Sequence, residues 1–121
     1  MTDGLLKFNG EYFILEIKTE ASSKFYTRED VDAKHVFQAV AYSLSFGLDD
    51  VIFLYENRDT CAKKAFLLHV TEEMKDELAN LLCDCEDYLK AKKLPPKTTN
   101  KRLCTYCKYK KFCKVEKNVP K

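Results

Sequence analysis

The residues best equipped for chemistry begin with Glu16 and Lys18, set into the strand-like run FILEIKT at residues 13–19. Residues two apart in a strand share a face, so Ile14, Glu16 and Lys18 point one way and Phe13, Leu15 and Ile17 the other. A lone carboxylate on a covered sheet face costs several kcal/mol, so Glu16 needs a cation or an open cleft. Lys18 alone supplies that cation in one reading, a plain ion pair or a wet strand edge. Asp3 opens another. Asn9-Gly10 marks a tight hairpin turn between residues 5–8 and 11–18. Pairing through that turn brings Asp3 near Glu16 to Lys18, with about one residue of play in the register. Two carboxylates and the backbone carbonyl between Glu16 and Lys18 form a hard oxygen set of the kind Mg²⁺ or Mn²⁺ uses. Lys18 would orient and help deprotonate the attacking water, and stabilise charge building on an attacked phosphate. The chemistry such a set serves is phosphodiester hydrolysis.

Positioning these residues takes a small scaffold. The stretch ASSKFYTRED is polar and loop-like. Thr27, with Asp30 three residues on, then caps a helix that runs to about Phe46 and stops at Gly47. At 3.6-residue spacing this helix carries an apolar stripe of Phe37, Val40, Ala41, Leu44 and Leu48, which should pack on a sheet. A second stripe carries Val31, His35, Gln38 and Tyr42. The continuous apolar runs 51–55 and 65–70 predict strands covered on both faces, joined by a polar turn that contains Cys61. Thr71 caps a long amphipathic helix over 71–93, with acids in its first turn and lysines in its last. Leu94-Pro95-Pro96 ends it as a stiff linker. The order ββαββα predicts an α/β fold, a small mixed β-sheet flanked by helices. Residues 1–93 form the core, and 94–121 a basic, Cys-rich tail expected to pack on it.

Asp3-Gly4, then Glu16-Ile17-Lys18, then Gln38-Ala39-Val40-Ala41-Tyr42 together resemble the PD-(D/E)XK nuclease superfamily, in its RecB-like branch with a Gln-x-x-x-Tyr motif. The run VIFLYENRDT also looks like phage-encoded members of this branch. The resemblance implies a restriction-endonuclease-like core in which Asp3 and Glu16 ligate Mg²⁺ or Mn²⁺, the Ile17 carbonyl completes the protein ligands, and Lys18 is the catalytic lysine. It further implies that Gln38 and Tyr42 line the active site and contact the DNA backbone. His35, one turn before Gln38, reads as a packing or phosphate-contacting residue. The expected activity is that of a DNA exonuclease or end-processing enzyme in recombination, repair or CRISPR-type DNA handling. The alternative is a DNA-binding module of the same fold that is non-catalytic or depends on a partner.

The chain has 121 residues and a net charge of +2, which hides an asymmetry. Residues 90–121 hold 12 Lys+Arg against the single acid Glu116, whereas residues 1–89 hold 9 against 18 Asp+Glu. A basic tail on an acidic body suits a polyanion, and Lys101, Arg102, Lys108, Lys110 and Lys111, interleaved with Tyr106, Tyr109 and Phe112, suit a single-stranded or end-bearing DNA path. No apolar run reaches a membrane span and the start lacks a signal-peptide layout, so a cytoplasmic protein of a bacterial or archaeal cell, or one that a virus encodes, is expected. Cys104, Cys107 and Cys113 form a C-x2-C-x5-C triplet, three ligands of a site that wants four. Iron–sulfur nucleases of the same branch carry a similar triplet, joined by a cysteine upstream of the nuclease motifs. That likeness implies a four-iron four-sulfur cluster, with zinc as runner-up. Only two residues precede Asp3 here, so Cys61, Cys83 or Cys85, or a protein partner or second copy, is expected to supply what the upstream elements supply in that family.

Overall fold

The hairpin turn forms as its residues require: Asn9 and Gly10 both take positive φ, 50° and 80°, the left-handed pair of a primed turn. In this computed structural model, which describes residues 2–113, the turn joins β1 (Gly4–Phe8) to β2 (Glu11–Glu20), antiparallel, with Gly4 opposite Leu15. β2 then pairs in parallel with β3 (Asp50–Asn57), and β3 antiparallel with β4 (Lys63–His69), giving a mixed sheet of order β1-β2-β3-β4. A parallel pair demands a crossover, which α1 (Ser22–Thr27) and α2 (Ala33–Phe46) provide. α3 (Glu72–Ala91) follows β4. The expected α/β fold, a small mixed sheet flanked by helices, is present.

Two compact units divide the chain, the first ending at Cys83 and the second starting at Asp84. The core of the first gathers on one sheet face: Ile14, Val51, Phe53 and Tyr55 meet Phe25 of α1, Ala39 and Val40 of α2, and Val70 and Leu78. The α3 cap is the expected one, with the Met74 N–H donating to Thr71 Oγ1 at 3.3 Å. In the second unit the tail contains two short helices, α4 (Lys101–Thr105), capped by Asn100, and α5 (Lys110–Cys113). Residues 114–121 of the expected tail lie outside the described residues.

Three expectations are corrected. The helix expected from Thr27 is two helices. Thr27 Oγ1 donates to the Ser23 and Lys24 carbonyls and closes α1, Arg28 is extended at φ −73°, ψ 121°, and Asp32 takes the N-cap, accepting from the Lys34 N–H at 3.0 Å. Asp caps at least as well as Thr, and the break frees Arg28 to reach Glu20. Second, only part of the expected apolar stripe is buried: Val40 lies in the core and Leu48 packs against it. Ala39, Val40 and Ser43 are buried while Phe37, Ala41 and Leu44 are exposed, because hydrogen bonds from the His35 and Gln38 stripe to the sheet turn the helix. Third, β3 and β4 are not covered on both faces within the first unit. β3 alternates buried and half-buried residues, and on the half-buried side Leu67 of β4 is 65% exposed.

Gly47 ends α2 in the left-handed region at φ 67°, its N–H donating to the Ser43 carbonyl at 2.9 Å. An added Cβ would meet nothing within 4 Å, so Gly47→Ala isolates backbone strain. We expect a loss of about 1 kcal/mol in urea denaturation with an unchanged m-value, and a smaller loss for Gly47→Asn. Equal stabilities for all three proteins would contradict this.

Candidate active site

Glu16 is where the site is under greatest electrostatic demand. It lies on the helix-covered face of β2 and is only 2% exposed. Its partners among the described residues are both distant. The Asp3 N–H donates to Oε1 at 3.4 Å, and Lys18 Nζ stands 3.7 Å from Oε2. A buried carboxylate normally holds shorter, charge-assisted bonds. This one is weakly compensated by the described residues.

The neighbours of Glu16 converge as the hairpin register requires. Asp3 stands just before β1, and its Oδ2 accepts from the Ile17 N–H at 2.7 Å. The N–H and C=O of one strand residue project to the same edge, so the Ile17 carbonyl lies on the edge where Asp3 stands. Thr2 fastens this corner by donating from Oγ1 to the Leu15 carbonyl at 3.0 Å. From Glu16 a polar chain runs across to α2. Lys18 Nζ donates to Gln38 Oε1 at 2.7 Å, and Gln38 Nε2 donates to the Tyr42 hydroxyl at 3.1 Å. Contacts thus link Asp3, Glu16, Ile17, Lys18, Gln38 and Tyr42 into one polar cluster that runs from the sheet to α2.

No three described His, Cys, Asp or Glu side chains stand together at metal-holding distance. The donors here are two carboxylates and one main-chain carbonyl, an oxygen-only set that fits Mg²⁺ or Mn²⁺ with the remaining positions left to water and substrate oxygens.

His35 packs its ring on Phe53, with centroids 6.3 Å apart, and its Nδ1 lies 2.7 Å from the Tyr55 hydroxyl. That hydroxyl, on a fully buried side chain, also accepts from the Asp32 N–H at 3.2 Å. Burial, and then the nearby Lys18 charge, push the His35 pKa below its ordinary 6.5. That shift favours the neutral ring at pH 7.

Sequence reasoning missed the polar group behind this ring. Arg28 grips Glu20 with two bonds of 2.6 and 2.7 Å and lies over the Tyr55 ring, 4.2 Å from its centroid. Alternation along Ile14, Glu16, Lys18, Glu20 was the available signal for Glu20; nothing local marks Arg28. Lys64 of β4 donates to the Phe25 and Arg28 carbonyls at the end of α1.

In the second unit Cys104, Cys107 and Cys113 line one cavity of about 200 Å³. All six cysteines are free thiols. Cys61 is exposed in the turn after β3, and Cys83 and Cys85 are exposed on α3. Lys101, Arg102, Lys108, Lys110 and Lys111 are exposed, as are Tyr106, Tyr109 and Phe112, with Tyr109 and Phe112 6.5 Å apart. No helix among the described residues is long and apolar enough to cross a membrane.

No family model and no curated protein matches this chain. Among solved structures it is similar to the crystal structure of SSO0001, at 22% identity and a TM-score of 0.57, over 94% of this chain and 50% of that one. The likeness concerns the fold. The chain spans half the length of that protein.

Proposed function

We propose that this chain is a metal-dependent DNA nuclease that hydrolyses phosphodiester bonds, acting as an exonuclease or on DNA ends. The observation that carries this reading is the buried Glu16 carboxylate, held only by partners at 3.4 and 3.7 Å, at the meeting point of Asp3, the Ile17 main chain and Lys18. A bound Mg²⁺ or Mn²⁺ would supply Lewis acidity and a more acidic water, and Asp3, Glu16 and the Ile17 carbonyl would hold it. Lys18 presents a positive charge towards the attacked phosphate, and Gln38 fixes its ammonium at 2.7 Å so that it need not reorganise during reaction. Tyr42, bonded to Gln38, sets the amide's orientation. The tail cations Lys101, Arg102, Lys108, Lys110 and Lys111 offer an electrostatic path for a single strand.

Cleavage of labelled single- and double-stranded DNA with Mg²⁺ or Mn²⁺, compared with Glu16→Ala and Lys18→Ala, tests the proposal. Activity that both changes abolish supports it; equal traces in all three samples sink it. A DNA-binding module that needs a partner is the second reading, favoured by the sheet face that the first unit leaves open at Leu67.

The shared cavity of Cys104, Cys107 and Cys113 suits a cluster or metal with a further ligand from elsewhere. Protein purified without oxygen is expected to be brown, with broad visible absorption that Cys107→Ser removes. Colourless protein with bound zinc assigns the site to zinc, and colourless protein with neither metal removes the site altogether.

A further inference from the structure

β2 continues past Lys18 through Thr19 and Glu20, and there the first unit holds a cavity of about 330 Å³. A water's share of liquid volume is about 30 Å³, so the space admits a hydrated polyatomic anion. Its walls include Lys24, Arg28, Lys34 and Arg58, against Glu20 and Asp32. We propose that this cavity is an anion subsite that takes a phosphate group of a nucleic-acid strand whose neighbouring phosphodiester lies at Lys18. The identity of the strand rests on the nuclease reading; the affinity for phosphate does not.

Both acids in the wall are already committed. Glu20 is neutralised by the paired bonds from Arg28, and Asp32 is spent on the α2 cap. Three cations remain. Lys24, Lys34 and Arg58 form no ion pair with any described residue, and each is exposed, so an anion can reach them without displacing an internal contact. His35 completes the wall. The cavity also shares its framework with the proposed catalytic residues. Thr19 follows Lys18 on β2, and His35 precedes Gln38 by one turn of α2. Glu20 is two residues beyond Lys18, roughly 7 Å along a strand, about one nucleotide step.

The test is fluorescence anisotropy of the full chain in EDTA, so that no cleavage enters, against a short single strand bearing a 5′-phosphate, a 5′-hydroxyl or a 3′-phosphate. Lys24→Ala, Lys34→Ala and Arg58→Ala are each expected to make the log–log salt dependence shallower by about 0.7. Lys63→Ala, on β4 and paired with Glu56, should leave it unchanged. Loss of a preference for the 5′-phosphorylated strand alone assigns a terminal phosphate, and an equal change on all three strands assigns a backbone phosphate. Unchanged slopes in the three cavity variants, or the same change in Lys63→Ala, overturn the subsite. Because no metal is present, a chain that fails to cut DNA yet shows these slope changes defeats the nuclease reading alone. A cutting chain with unchanged slopes defeats the subsite alone.

Discussion

Glu16→Gln is expected to lower metal-dependent cleavage on the order of 10³-fold while leaving the protein as stable as before, or more so. The two effects have one cause. A carboxylate that is 2% exposed, with partners no nearer than 3.4 and 3.7 Å, is poorly compensated in the metal-free protein. Gln keeps the shape and can still accept from the Asp3 N–H, but it carries no charge to desolvate. Lys18 keeps its short bond to Gln38, so its ammonium is not orphaned. The variant therefore loses what holds the cation and gains in folding, the usual signature of a residue kept for function. Metal should divide the two proteins further. At a concentration of 100 times its Kd, Mg²⁺ stabilises a specific site by about 2.7 kcal/mol, which the wild type should show in thermal melts and Glu16→Gln should not. Lys18→Met separates the roles, because it should lose about 10²- to 10³-fold in cleavage yet keep the metal-dependent stabilisation. Cleavage by Glu16→Gln within about tenfold of wild type, or equal Mg²⁺ stabilisation of both, would remove Glu16 from the metal site.

Much of this cluster was legible because its residues obey local rules. Asn9-Gly10 fixes the hairpin, the hairpin fixes the register, and the register brings Asp3 to Ile17. The four-residue spacing of Gln38 and Tyr42 places both on one stripe of a helix, and the observed bond between them needs only that spacing. What remained hidden depends on contacts between segments far apart in the chain. A run such as VIFLY is apolar whether or not both its faces are covered, so periodicity alone did not reveal that the first unit packs helices on one side only. The rotation of α2 was equally hidden, since it follows from where Tyr55 and Lys18 stand on the sheet. Thr27 and Asp32 are both good N-caps, and the choice between them depends on Arg28 turning away to Glu20, eight residues back.

That same turn makes Arg28→Ala a costly change, at about 3–5 kcal/mol. The Arg28 and Glu20 side chains are 12% and 8% exposed, so solvent screens the pair little. Removing the guanidinium leaves a buried carboxylate beside Tyr55 without its hydrogen-bonded counter-charge, the Lys24 charge acting on it more weakly, and also removes the cation resting on that ring. The pH dependence identifies the mechanism. In the native protein the Arg28 bonds hold the Glu20 carboxyl below its ordinary 4.5. Its contribution is therefore complete above pH 4.5 and is lost as pH falls through the lower folded-state value. In Arg28→Ala the unpaired, buried carboxyl is instead driven upward, so acid relieves the variant by protonating it. Urea denaturation should thus find the gap between the two proteins widest near pH 7 and narrowing towards and below pH 4.5. Replacing both partners, as in Glu20→Leu with Arg28→Met, should recover most of the loss, because neither charge is then left buried alone. A gap that stays constant from pH 7 to pH 4, or a double variant no better than Arg28→Ala, would mean that Arg28 acts through packing on Tyr55 rather than through its charge.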